Sequence, residues 1–343
     1  MGGSIPPKNN NKTMMRDELI LFSGTSKAHL AAQIAQLLDR ETGRATVERF
    51  PDGEVNVHLD EPVRGREVFL IQSTAPPVNE NLVELLALAD ACRRSSAQCV
   101  TAVVPYFGYA RSDKRHGRRA PIGASMVASL MEAVGIQHLV TVDLHAAQIE
   151  GFFHIPLDSL TAVPAMVHVL REKLPPGTVV VSPDEGRVKM ATDFARRLGA
   201  PVAVLHKERK DGSAASVVQV LGEVRDHPCL VIDDMITTGG TIAAAVEALL
   251  REGALPEIFI AATHGLFVGD ARARLSHPAI RGIYVTDSVT APMEPWPELT
   301  VVLLAPLLAA AIRRFRSDES IADLYVNVIH SGGEVLNASG APA

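Results

Sequence analysis

Two adjacent acids, Asp233 and Asp234, close an apolar run, and Thr237, Thr238, Gly239, Gly240 and Thr241 follow at once. The next stretch, Ile-Ala-Ala-Ala-Val-Glu-Ala-Leu-Leu, has helical character, so the window reads as strand, turn and helix. Glycines let backbone N–H groups face a ligand, and the start of a helix adds partial positive charge; such a turn can hold a phosphate. Two carboxylates beside it suit the hydroxyls of a ribose. An ordinary strand-to-helix turn with a capping Thr is the competing reading of this window.

Three further segments carry chemistry. Pro105-Tyr106-Phe107-Gly108-Tyr109-Ala110 leads into Arg111, Ser112, Asp113, Lys114 and Arg115, an aromatic platform before cations able to neutralise a polyphosphate. Asp143 and His145 alternate from a strand end and so share a side, which suits a metal shell or a phosphate contact as well as a core histidine beside a capping Asp. His206-Lys207-Glu208-Arg209-Lys210-Asp211-Gly212-Ser213 continues another strand as a charged, small-residue loop, able to close over a transferring phosphoryl group or to be a surface charge run.

These groups need a scaffold, and apolar β-rich runs alternate with helical patterns almost throughout. Strands are expected at 18–22, 67–72, 99–105, 139–143, 178–182, 202–205, 230–233, 258–263, 283–286 and 300–304. Helices are expected at 27–39, 79–95, 122–134, 163–173, 187–198, 241–251 and 307–316. The alternation predicts an α/β protein with mainly parallel sheets, in two halves that break around 155–161. Ligands of such sheets sit beyond the carboxyl ends of the strands. Gln72, Tyr106, Asp143 with His145, Asp184, Lys207, Asp233 with Asp234, and His264 stand at those ends, predicting a polar cleft between the halves.

Composition narrows the class. The chain has 343 residues, 47% of them apolar and 21% charged, with a formal net charge of −6, which argues against a broad nucleic-acid-binding surface. No run is long enough to cross a membrane. Cys92, Cys99 and Cys229 lack metal-binding spacing and are expected as free, buried thiols in a reducing cytoplasm. Residues 1–16 read as a disordered tail with an alternative start at Met14 or Met15; Met1-Gly2 fits myristoylation, but Pro6 stands where Ser or Thr is required.

Taken together and in order, these segments resemble the ribose-phosphate pyrophosphokinase (phosphoribosyl diphosphate, PRPP, synthase) family, over about residues 19–325. Arg49-Phe50-Pro51-Asp52-Gly53-Glu54 is similar to the family's adenine-contact segment. Val63-Arg64-Gly65, Ile71-Gln72-Ser73-Thr74, Tyr109-Ala110-Arg111, Asp143-Leu144-His145, Ser182-Pro183-Asp184 and Asp233-Asp234-Met235 also match its signatures. The resemblance implies two phosphoribosyltransferase-like α/β domains, at 17–160 and 161–330, each with a mainly parallel central sheet flanked by helices, and a tail at 331–343. It allows the last helix to pack back on the first domain. It also implies attack of the C1 hydroxyl of ribose 5-phosphate on the β-phosphorus of Mg-ATP, releasing AMP, in a cytoplasmic homo-oligomer, a hexamer built from dimers.

Carried over by residue, the resemblance gives Thr237, Thr238, Gly239, Gly240 and Thr241 to the 5-phosphate, Asp233 and Asp234 to the ribose hydroxyls, and Arg209 to both ribose 5-phosphate and catalysis. Lys207, Arg209 and His145 are the catalytic set. Phe50, Asp52, Gly53 and Glu54 read the adenine of a neighbour's ATP, and Arg111, Ser112, Lys114 and His145 meet its phosphates. His145, Asp184 and Asp143 form the Mg2+ set. This chain departs from the family pattern at Thr237 (often Asp), Gly239 (Ala or Cys), Arg187 (Gly), His154 (Asp) and Ser112 (Gln). Ala147, Ala322 and Asp323 replace or flank hydroxyls of the family's regulatory anion site, which predicts weak activation by phosphate. Two alternatives accompany this reading: a non-catalytic regulatory subunit of such a synthase, and a PRPP-consuming phosphoribosyltransferase.

Overall fold

The computed structural model describes residues 19–329 except 116, 210–215, 293 and 318, together with Val335–Leu336. The tail expected at 1–16, Lys210 to Ser213 of the charged segment, and the rest of the C-terminal tail lie outside the described residues.

The first half begins with β1 (Leu19–Ser23) and α1 (Ala28–Leu37) and continues through β2 (Ala45–Arg49), β3 (Val55–Leu59) and β4 (Glu67–Ile71). α2 (Val78–Arg94), β5 (Cys99–Val104), α3 (Gly123–Ala133), β6 (His138–Val142) and β7 (Leu157–Leu160) complete it. Its main sheet is parallel throughout, in the order β1-β4-β5-β6-β7. β2 and β3 form a separate antiparallel hairpin.

The second half contains α4 (Val163–Arg171), β8 (Val179–Ser182), α5 (Val188–Leu198), β9 (Val202–Arg209), β10 (Ser216–Leu221), β11 (Cys229–Ile236) and α6 (Gly240–Arg251). β12 (Ile258–Gly265), α7 (Ala271–Leu275), β13 (Ile280–Thr286), β14 (Leu299–Val302) and α8 (Ala305–Ser317) come next, then the short pair β15 (Val328–Ile329) and β16 (Val335–Leu336). The main sheet runs β10-β9-β8-β11-β12-β13-β14, parallel except for β10. The chain moves outward from β8 to β10, then returns to place β11 on the other side of β8. That reversal makes the β8/β11 junction a topological switch point, where the loops after adjacent strands diverge and open a crevice.

Alternation along the strands joins the halves. Leu19 and Leu21 of β1 face one core layer, and Ile20 and Phe22 the opposite one. Leu230 and Ile232 of β11 face the first of these layers, whereas Cys229 and Val231 face a third. The shared layer also takes residues of α1, α4, α5 and α8, so the two sheets bury a single apolar middle. α8 lies against α1, and Arg313 Nη2 donates to the Leu37 carbonyl at 2.8 Å.

Several elements differ from the sequence expectation. The expected break contains β7, whose Leu157 to Leu160 pair with β6 as the edge of the first sheet. Pro156 gives the stretch a linker look, but an edge tolerates a proline, and its carbonyl accepts the Leu139 N–H at 3.0 Å. The β2–β3 hairpin, unassigned in the sequence, shows a weak signal in Val55, Val57 and Leu59 alternating after a Pro-Asp-Gly turn. β9 runs on to Arg209 where a loop is expected: β10 supplies an antiparallel ladder, with Lys207 opposite Val218 and Arg209 opposite Ser216.

Candidate active site

The acids near the end of β11 are enclosed: Asp233 is 9% exposed and Asp234 1%. Asp234 Oδ2 meets His145 Nδ1 at 2.6 Å, joining the second half to the loop after β6 in the first. Burial, together with the neighbouring Asp234, pushes the Asp233 carboxyl up to about 8. Burial acts on Asp234 in the same direction but is outweighed by hydrogen bonds with His145 and Asp233 and by the charge of Arg187, so Asp234 is held down at about 2. The two carboxyls are thus pushed in opposite directions and behave as one titrating unit.

Arg187, expected from the sequence only as an added cation near the ribose end of the cleft, proves to lie against the acid pair itself. It comes from the short 3-10 turn Glu185–Arg187 after β8, at the switch point, and its side chain is 15% exposed. Nη1 donates to the His145 carbonyl at 3.1 Å, and Nη2 lies 3.0 Å from His145 Nδ1. Nε lies 3.3 Å from Asp234 Oδ1 and 3.5 Å from Asp233 Oδ1. The available signal was a cation shortly after a strand-end Pro-Asp pair; its direction depends on the turn.

The turn after β11 has the form an anion site needs. Gly239 takes φ +74° immediately before α6, and an added Cβ would meet Leu275 Cγ at 3.2 Å. Among the described residues, the N–H groups of Thr238 and Gly239 find no backbone acceptor in the turn, and the first turn of α6 adds its own unpaired donors. Arg274 of α7, which carries no signal in the sequence, sits beside this turn, its Nη1 3.3 Å from where a Cβ on Gly240 would stand.

Asp143 and His145 diverge. Asp143 has φ +42°, and its Oδ2 accepts the Ala162 N–H at 3.0 Å and the Thr263 hydroxyl at 2.7 Å. Burial raises its carboxyl against those bonds. His264, its ionisation lowered by burial, approaches the Asp143 carbonyl with Nε2 at 3.2 Å and stacks edge-on against Tyr106 at 4.9 Å. Asp143 thus fastens β6 to β12, and its carboxylate is poorly suited to a metal. Asp184 is different: its Oδ1 is buried with no hydrogen-bond partner among the described residues, the environment a hard cation would satisfy. Among the described residues no group of three His, Cys, Asp or Glu side chains is arranged to hold a metal.

The remaining predicted residues are distributed unequally. The charge of Arg111 reaches Tyr106, which also feels Asp234, so the aromatic-cationic loop borders the acid pair. The Ser112 hydroxyl accepts the Gly123 N–H at 3.0 Å and thus supports the start of α3, while Lys114 is exposed. Phe50, Asp52, Gly53 and Glu54 form the exposed tip of the β2–β3 hairpin, closed by Phe50 N–H to Glu54 carbonyl at 2.9 Å. Phe50 is 49% exposed, and the adjacent Arg49 pairs with Glu80 of α2 at 3.2 Å. Gln72, expected at the cleft, is wholly buried in a network with Ser26 and Glu84. Cys92 and Cys229 are buried free thiols pushed up to about 12 by burial, whereas free Cys99 is only half-buried.

Twin α/β sheets meeting over an anion-binding turn and a buried acid pair define a two-part protein of the phosphoribosyltransferase type. The N-terminal domain of ribose phosphate pyrophosphokinase matches residues 19–135, and the phosphoribosyl transferase domain matches residues 173–294. Ribose-phosphate pyrophosphokinases of Chromobacterium violaceum and Thermotoga maritima are 42% and 43% identical, over 93% and 90% of this chain and 98% of each relative. The crystal structure of phosphoribosylpyrophosphate synthetase from Mycobacterium smegmatis has a TM-score of 0.82 at 40% identity, covering 88% of this chain and 100% of that one. The chain belongs to the ribose-phosphate pyrophosphokinase family. No helix among the described residues is long and apolar enough to cross a membrane.

Proposed function

We propose that this enzyme transfers the β,γ-diphosphoryl group of ATP to the C1 hydroxyl of ribose 5-phosphate, giving PRPP and AMP for nucleotide biosynthesis. The observation that carries this reading is the junction of an anion-binding turn and a buried acid pair at the β8/β11 switch point, faced by His145 from the other half. The N–H groups of Thr237 to Thr241 hold the 5-phosphate, and Asp233 and Asp234 accept hydrogen bonds from the ribose hydroxyls. Arg111, Ser112 and Lys114 meet the ATP phosphates. Lys207 and Arg209 offset charge that develops on the transferring group, the largest contribution a protein usually makes to such a step.

Mg2+ fits this chemistry through Asp184, and His145 is the second residue of its set; Asp143 supports the site from behind, since Ala162 and Thr263 already engage its carboxylate. When bound, the ion neutralises phosphate charge. The exposed hairpin tip of Phe50, Asp52, Gly53 and Glu54 supports contact with the adenine of a neighbouring subunit's ATP, in a homo-oligomer, a hexamer built from dimers. The domain division at 160/161, a cytoplasmic location and the absence of nucleic-acid partners complete the proposal. Coupled measurement of AMP release from ATP and Mg2+, with and without ribose 5-phosphate, tests it. Release that does not depend on ribose 5-phosphate would remove the reading.

A further inference from the structure

We infer that Arg187 is the resident cation of the Asp233–Asp234 pair, supplying from inside the chain the charge compensation that a bound cation would otherwise have to bring there. The inference deepens the proposed function, because it concerns the same cleft, but the charge compensation it describes stands on the side-chain geometry alone. The pair is almost wholly enclosed, and carboxylates so placed require a compensating charge. The guanidinium supplies it from inside the chain, with Nε 3.3 and 3.5 Å from one oxygen of each acid.

The same group reaches the other half of the molecule by donating to the His145 carbonyl at 3.1 Å, which brings Nη2 to 3.0 Å from the ring Nδ1 that bonds Asp234. His145, Asp233 and Asp234 are the ligand types a divalent ion uses, and two of them already touch, yet the guanidinium lies among them. Its fixed planar fork spans carboxylates and carbonyl together, a geometry that a flexible ammonium covers only in part. A divalent ion at the pair must first displace these contacts. Arg187 is thus a positioning residue that makes the charge compensation of the acid pair internal and leaves Asp184 as the place for metal.

Binding of Mn2+ to the full chain without nucleotide, read by electron paramagnetic resonance, tests this on wild type, Arg187→Ala, Arg187→Gln and Arg187→Lys. Removing a unit charge at this range should tighten Mn2+ binding at least about tenfold in Arg187→Gln and Arg187→Ala. Arg187→Lys should stay near wild type, and adding Asp234→Asn to Arg187→Gln should abolish the gain. Arg187→Gln keeps much of the size and hydrogen-bonding capacity, so it carries the test if the alanine variant fails to fold. Unchanged affinity in folded Arg187→Gln, an equal gain in Arg187→Lys, or a gain that survives Asp234→Asn would each overturn the inference. A wild type that releases no AMP would remove the proposed reaction but would leave this comparison of affinities standing.

Discussion

The strand ends at β6 and β11 carry similar residues and do different work. Asp143 directly follows β6 and Asp233 lies near the end of β11, and burial raises the carboxyl of each. At β6, Asp143 is satisfied by the Ala162 N–H and the Thr263 hydroxyl, neutral donors that tie one sheet to the other. At β11, Asp233 and Asp234 face His145 and a guanidinium. The difference comes from topology. The first sheet is laid down in chain order, so no reversal separates the loops beyond β6 from those of its neighbours; the second reverses at β8/β11 and leaves a crevice there. Carboxylates closed by neutral donors act as structure, and carboxylates opposed by charged groups at a crevice are available for chemistry.

Substitutions at the two ends should separate these roles. The largest effect is expected for Asp234→Ala, which removes a ribose contact and strands Arg187. Activity should fall by about a hundredfold or more, and urea denaturation should show a loss of about 3 kcal/mol, as for other broken buried pairs. Equal activity loss on Asp143→Ala would erase the contrast. That variant should instead lose about 2 kcal/mol of stability, because two donors lose their acceptor, while the KM for ribose 5-phosphate changes little.

Gly239→Ala probes the crevice backbone. A φ of +74° and a Cβ 3.2 Å from Leu275 predict a cost of about 1–2 kcal/mol and a raised KM for ribose 5-phosphate. A normal KM would show that the turn does not hold the phosphate in the manner proposed.

The effect with the least bearing on activity concerns a second link between the halves. Lys27, 6% exposed, donates to the Asp287 carbonyl at 2.6 Å, and burial lowers its ionisation to about 8 against the pull of Asp287. Above pH 8 the folded chain releases this proton while the unfolded chain keeps it, so folding no longer carries the cost of a buried charge. Wild type should therefore gain stability relative to Lys27→Met as pH rises from about 8 towards the ordinary lysine value of 10.5, and the difference should be level below that window. Parallel stability curves across the window would remove this role.

The regulatory expectation needs adjustment. Asp323 is paired with Arg314 through both carboxylate oxygens, the Nη2 contact being 2.7 Å, so its charge does not face an anion uncompensated. The lost hydroxyls at Ala147 and Ala322 remain as the reason to expect weak phosphate activation.

Local features were legible in the sequence. A run of β-branched and apolar residues that stops at Asp233-Asp234 and restarts after Gly239-Gly240 fixes a strand, a turn and a helix, because each depends on near neighbours and on the period of burial. The parallel α/β class comes from the same rhythm. Five-residue strands with polar alternation, such as β2, carry too little signal, and β9 reads short because its last residues look like a loop until β10 is beside them.

Which polar strand end becomes the site was decided only in three dimensions. Gln72 and Asp143 are as suggestive in the chain as Asp233, but their partners, Glu84 and Thr263, stand at sequence distances of 12 and 120 residues. Arg187 reads in the chain as a cation added near the ribose end of the cleft, but it is the 3-10 turn after β8 that aims it across the crevice at groups 42 to 47 residues away in the chain. The sequence determined which elements form and which residues their ends carry. Tertiary structure decided which of those residues are saturated and which confront one another, because charge compensation and hydrogen-bond satisfaction depend on contacts between strands that only the sheet order brings together.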